Sequence, residues 1–162
     1  MSTNEDNIKT PENEHCYEYI VSACLCGENT RYDGKSSLSP EIKKLVEEGR
    51  AIMCCPELSG GLEVPRLPCE IRDGRVINKE SEDKTRQFVN GAIKTLEIAQ
   101  RYDIKKAILK EKSPSCGSNY VYDGTFTGTL ISGQGITTEI LRLNGIEVIS
   151  NDLTDSEKIN PI

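Results

Sequence analysis

Residues 81–110 read SEDKTRQFVNGAIKTLEIAQRYDIKKAILK. Over Ser81–Arg101, Phe88, Ala92, Ile93, Leu96 and Ala99 recur at spacings of three and four, which lays them along one face of a helix. Directly afterwards, Lys106–Lys110 encloses Ala107, Ile108 and Leu109, a run short enough to be a buried strand. A long amphipathic helix feeding a short apolar strand is the unit from which parallel α/β sheets are built.

The same unit recurs on both sides. Upstream, Tyr17–Ser22 (YEYIVS) reads as a strand that runs into a Cys-rich loop. Pro40–Glu48 reads as a helix, with Ser39 as N-cap, Pro40 at its first position and Gly49 as its stop. Ala51–Cys54 is an apolar run cut off by Pro56, which suits a buried strand. Downstream, Thr137–Leu143 reads as a helix ended by Asn144-Gly145, and Ile146–Ser150 as a strand. Strand and helix alternate throughout. The order predicts a small three-layer, Rossmann-like α/β domain with a mostly parallel sheet of about four strands. Two stretches, Leu58–Lys79 and Gly117–Gly135, are longer than ordinary connections and rich in Gly, Pro and Ser, so function is expected there.

The chain has 162 residues, 36% of them hydrophobic, which fits one domain with a real core. We expect a mobile extension over 1–15, where MSTNEDNIKTPENEH lacks apolar periodicity, and a single domain over 16–162. That opening stretch also has no signal-peptide h-region, and no apolar run spans a bilayer, so a cytoplasmic protein without a membrane partner is expected. A formal net charge of −6 disfavours a large nucleic acid as partner.

Seven cysteines in a cytoplasmic chain point to metal binding or thiol chemistry rather than to a disulfide frame. Cys16 and Cys69 read as buried small hydrophobes. Cys24, Cys54/Cys55 and Cys116 each follow a strand. In a parallel sheet those strand ends share one edge, where open α/β sheets bind ligands. The only histidine, His15, lies in the polar extension, so a His-containing zinc site is not expected. Clustered thiolates favour zinc, copper(I) or an iron–sulfur cluster. Glu57 beside Cys55 reads either as a general acid–base or as a helix-start acid, and Ser113 as a crevice hydroxyl or a loop cap. Lys110-Glu111-Lys112 reads as a solvated charge run.

The segments VSACLCGENTRYDG, CPELSGGLEVPRLPCEI, FVNGA, ILKEKSPSCGSNYVYDGTF and GQGITTEILRLNGIEVIS resemble the small thiouracil desulfidase family from about Tyr19 to Ser150. The resemblance implies non-redox removal of sulfur from thiolated uracil bases at a 4Fe-4S cluster. It also implies that three cysteines, Cys24, Cys55 and Cys116, hold the cluster while an open iron receives the substrate sulfur. It implies Glu57 and Ser113 as catalytic helpers. The chain departs from the family pattern at Cys26 and at Cys54, two extra thiols available for ligation or for packing. Two other readings compete: a metal-free thiol enzyme using Cys116, and a non-catalytic iron–sulfur or sulfur-carrier module.

Finally, CGENTRYDG (26–34) and CGSNYVYDG (116–124) agree at six of nine positions. We read the match as turn architecture used twice, with Tyr32 and Tyr122 packing beneath the crevice and Cys24, not Cys26, as the ligand.

Overall fold

The computed structural model describes residues 15–153, so nearly all of the extension expected over 1–15 lies outside the described residues. Four strands form one parallel sheet: β1 (Tyr19–Ser22), β2 (Ala51–Cys54), β5 (Lys106–Leu109) and β8 (Glu147–Ser150), in the order β2-β1-β5-β8. Tyr19, Ile20 and Val21 stand beside Ala51, Ile52 and Met53 on one side and Lys106, Ala107 and Ile108 on the other. Among the described residues no helix is long and apolar enough to cross a membrane.

Alternation along the strands divides the core into two layers. Tyr19, Val21 and Ile108 face one side, where they meet Ile42 and Leu45 of α1 (Pro40–Glu47). Ile20, Ala107 and Leu109 face the other, where they meet Ala99 of α3 (Thr85–Arg101) and Leu141 of α4 (Ile136–Leu143). The architecture is the expected three layers.

Two details of α3 differ from the sequence reading. The helix begins at Thr85 rather than Ser81, because the preceding backbone is engaged elsewhere. Glu82 O accepts from Asn78 N at 2.9 Å and Lys84 N donates to Val76 O at 2.7 Å. Ile93 is exposed, and Gly91 and Thr95 complete the buried face instead. Gly91 is there for a steric reason. A Cβ on it would collide with the Pro56 carbonyl, and one on Gly60 would collide with the Gln87 carbonyl. Backbone therefore lies on backbone where the short helix α2 (Pro56–Ser59) crosses α3. This contact seats the Cys55–Glu57 turn at the sheet edge.

The two long stretches read as loops each contain an antiparallel hairpin. Cys69–Arg72 (β3) pairs with Arg75–Asn78 (β4), and Tyr120–Tyr122 (β6) with Leu130–Ser132 (β7). Neither joins the main sheet. Both flank its C-terminal edge.

Candidate active site

The C-terminal ends of β1, β2 and β5 open onto a cavity of about 420 Å³. Cys24, Cys55 and Cys116 all border it, as do Glu57 and Ser113, so the five residues singled out in the sequence meet in one place. Each thiol arrives on its own arm. Cys24 sits in the 3-10 turn Ala23–Cys26, which Gly27 closes at φ 91. Cys55 occupies the N-cap position of α2, and its carbonyl accepts from Ser59 N at 2.9 Å. Cys116 ends the turn after β5, where Gly117 N donates to Ser113 O at 2.8 Å. Two cross-links hold that third arm: Lys110 N donates to the Ser22 hydroxyl at 3.0 Å, and the Thr138 hydroxyl donates to Cys116 O at 2.9 Å.

Burial dominates the chemistry of these thiols. It pushes Cys24 up to about 11, and proximity to Cys55 adds to the effect. Burial likewise raises Cys55, and it raises Cys116 furthest, with Cys55 and Cys24 adding to it. The thiols are thus close enough to repel one another as anions. A metal-free nucleophilic cysteine needs the opposite, a lowered pKa.

Glu57 and Ser113 form a connected pair. Glu57 Oε1 accepts from Arg66 Nε at 3.0 Å, and Oε2 accepts from the Ser113 hydroxyl at 3.4 Å. Burial raises the Glu57 pKa and Arg66 opposes the rise. Only 16% of the carboxylate side chain is exposed, and Glu57 borders the cavity. Ser113 Oγ also accepts the amides of Ser115 and Cys116, each at 3.0 Å. With both lone pairs taken, its single proton points at Glu57. The serine therefore caps the Cys116 turn and orients the carboxylate.

Arg66 was not singled out by its sequence, though it lies in VPRLP. Its guanidinium donates to Glu57, to Thr30 O at 2.9 Å and to Glu63 O at 3.0 Å, and its own amide donates to Tyr32 O at 2.9 Å. One planar fork thus ties the loop after β1 to the α2 turn.

The charge run Lys110-Glu111-Lys112 is not solvated at its centre. Glu111 is only 2% exposed. Its Oε1 accepts the amides of Ser118, Asn119 and Tyr120 at 2.9, 3.0 and 3.1 Å, and Oε2 accepts the Ser118 hydroxyl and the Asn119 side chain at 2.9 and 3.1 Å. Burial alone pushes its pKa up. The hydrogen bonds from Asn119, Ser150, Tyr120 and Ser118 overcome that and hold it near 2. Glu111 is the knot that fixes the chain just beyond Cys116. A pKa held below its ordinary value of 4.5 means stability present above about pH 4.5 and lost as pH falls through about 2. The depression corresponds to about 3 kcal/mol at neutral pH. Glu111→Gln should lower unfolding free energy by about that amount at pH 7, and the gap between the two proteins should narrow from pH 4.5 towards pH 2. Denaturant titrations across that range check it; a gap independent of pH would contradict the assignment.

The remaining cysteines divide differently from expectation. Cys16 is exposed and Cys69 is half-buried on the cavity wall, so neither is a core residue. Both lie outside the packed layers, Cys16 ahead of β1 and Cys69 on a hairpin beside the sheet. Cys26 does pack in the core, with Leu25 and Ile42, and is not among the residues bordering the cavity. Cys54 lies at the cavity edge, 3.4 Å from the Thr95 hydroxyl. That hydroxyl gives its proton to Gly91 O at 2.8 Å, so the Cys54 thiol is the donor between them. The repeated motif is one turn device built twice. Asp33 Oδ1 accepts from Lys35 N and Asp123 Oδ1 from Thr125 N, each at 3.0 Å, and Gly34 and Gly124 follow with positive φ. Both tyrosines border the cavity. Tyr32, however, is 43% exposed at its rim rather than packed beneath it, and Tyr122 is half-buried.

Residues 19–152 match the 2-thiouracil desulfurase family. The chain belongs to that family. A curated relative, the uncharacterized protein YbbK of Bacillus subtilis (strain 168), is 44% identical over 147 residues, covering 84% of this chain and 97% of the relative. A solved structure of the 4Fe-4S-dependent thiouracil desulfidase TudS matches with a TM-score of 0.81 at 44% identity, covering 84% of this chain and 91% of that one. The likeness bears out the three-layer α/β reading.

For a desulfurase-family chain, the donor set fits an iron–sulfur cluster better than a single ion. Among the described residues no three His, Cys, Asp or Glu side chains converge on one ion position. A lone tetrahedral ion would draw its sulfurs to within about 2.3 Å of itself. Here three thiols instead border a cavity large enough for a multi-atom group, and soft thiolate donors suit iron–sulfur ligation. Such a group would hold the three sulfurs as thiolates.

Proposed function

We propose that this chain removes sulfur from thiolated uracil bases without net redox change, using a 4Fe-4S cluster held by Cys24, Cys55 and Cys116. What carries the reading is that these three thiols and Glu57 border one cavity in a chain of the desulfurase family. The balance is that of a hydrolysis: thiocarbonyl plus water gives carbonyl plus hydrogen sulfide. When bound, the cluster supplies a soft Lewis acid for the leaving sulfur.

The chain's own groups do the rest. Glu57 stands at the cavity wall with Oε1 fixed by Arg66 and Oε2 by Ser113, and it takes a proton from the attacking water. Ser113 acts as a positioning residue, because its lone pairs are occupied by the Ser115 and Cys116 amides. Arg66 keeps the carboxylate aimed and neutralises it before the reaction. The substrate is a small neutral base, so the acidic net charge does not repel it. The raised thiol pKa values disfavour a metal-free cysteine enzyme.

The test is anaerobic. Protein purified without air should be brown, carry about four irons and four acid-labile sulfides per chain, and release sulfide from 2-thiouracil as the thione absorbance falls. A brown protein that releases no sulfide from any thiolated base would be a carrier module instead. A colourless, fully active protein would remove the cluster from the mechanism.

A further inference from the structure

The hairpin β6–β7 stands outside the main sheet, and its tip reaches the cavity at Tyr122, Phe126 and Gly128. Phe126 has φ 58, in the left-handed region that a bulky aromatic residue rarely enters. Such a conformation persists only where its surroundings impose it. They do so here. Glu70, 8% exposed, accepts the amides of Gly124 and Phe126 on one oxygen, Oε1, at 2.9 and 3.1 Å. Arg72, two residues further along β3, grips the same tip, donating to Gly124 O through Nε at 3.0 Å and Nη2 at 2.7 Å. Gly124 itself has φ 93, and a Cβ on it would lie 2.8 Å from Ile71 O. Strand β3 thus clasps the hairpin tip, backbone against backbone.

Core packing does not explain the clasp. Phe126 belongs to neither apolar core layer and is only half-buried. The cavity wall carries thiols and charged groups together with three aromatic rings, Tyr32, Tyr122 and Phe126, and of the three only Phe126 is held in a left-handed backbone conformation. A flat pyrimidine presents apolar faces as well as a polar edge, and the thiols and charged groups serve only the edge. An aromatic face is the complement that the ring needs.

We propose that Phe126 is a specificity-determining residue, the surface on which the pyrimidine ring stacks, and that Glu70 and Arg72 position it by holding the tip of β6–β7 against β3. This rests on the desulfidase reading above. Stacking of a base on an aromatic side chain is worth about tenfold or more in affinity.

The experiment compares Phe126→Ala, Phe126→Gly and Phe126→Tyr in cluster-loaded protein. Phe126→Ala should raise KM for 2-thiouracil about tenfold, leave kcat and iron content close to those of the parent, and weaken inhibition by uracil to the same degree. Phe126→Tyr keeps the ring and should keep KM. Phe126→Gly should lose affinity like Phe126→Ala yet melt no lower than it, because glycine relieves the left-handed backbone. An unchanged KM in Phe126→Ala overturns the proposal, and a lowered melting temperature alongside it would make the ring merely structural. Loss of iron in that variant, or a Phe126→Tyr protein as weak as Phe126→Ala, overturns it too. If the parent protein itself turns over no thiolated base and binds no uracil, the desulfidase reading falls and takes this proposal with it. An active parent with an unaffected Phe126→Ala variant defeats the stacking role alone.

Discussion

Replacing Glu57 with glutamine should lower kcat about 10²- to 10⁴-fold, the range over which a positioned acid–base group acts, while iron content and the brown absorbance stay at parent levels. Glutamine fills the same space and can still accept from Arg66, but it cannot hold a proton taken from water. One confounding effect must be separated. Arg66 and Glu57 are only 9% and 16% exposed, so removing the carboxylate strands a buried cation. Breaking a buried pair from one side costs on the order of 3–5 kcal/mol, and Glu57→Gln will therefore also melt earlier. Glu57→Asp resolves the two effects. It keeps the charge for Arg66 but withdraws the carboxylate by one methylene from its place beside Ser113. It should stay close to parent stability and still lose much of its turnover. A Glu57→Gln protein that turns over at the parent rate would take Glu57 out of the mechanism altogether.

The second large effect concerns two cysteines separated by one residue. Cys24→Ala should lose most of the roughly four irons per chain, with activity falling in proportion. Cys26→Ala should keep both, and its defect should appear in stability instead. The reason is which way the 3-10 turn Ala23–Cys26 directs its side chains. Cys24 borders the cavity with Cys55 and Cys116, whereas Cys26 packs with Leu25 and Ile42 against α1. Truncating a buried cysteine leaves a small void worth about 1 kcal/mol, enough to shift a melting curve but not to empty the site. Iron and acid-labile sulfide assays on the two proteins, purified side by side without air, read the difference directly. Loss of iron from Cys26→Ala alone would reverse the ligand assignment.

Much of the main domain was legible because its signals are local. The spacing of Phe88, Ala92, Leu96 and Ala99 marks a helix whatever surrounds it, and the short runs at Ile20, Ala51, Ala107 and Val148 mark buried strands. The hairpins were missed for a related reason. Strands β3, β4, β6 and β7 are short and carry no clean alternation, and the burial of β7 shows why: all three of its residues are exposed. Glu111 was misread because KEK looks like any solvated run. Its partners, the amides of 118–120, become donors only once the chain folds back on itself. Arg66 failed to stand out because an arginine between two prolines has no pattern of its own. Its meaning lies in Glu57, nine residues away, and in Thr30, thirty-six away.

The sequence by itself determined the order of the main-sheet strands and the longer helices between them, the turns at Asp33 and Asp123, and the placing of a cysteine after each of three strands. These depend on periodicity and turn chemistry, which act over a few residues. Only the tertiary structure decided that Cys24, Cys55 and Cys116 border one cavity while Cys26 does not, and that Cys69 and Phe126 reach its wall. It alone revealed that one guanidinium aims Glu57 and that one buried carboxylate fixes the chain beyond Cys116. The physical reason is parallel pairing. It brings strand ends separated by tens of residues to a common edge, and the contacts made there have no trace in the spacing of the chain.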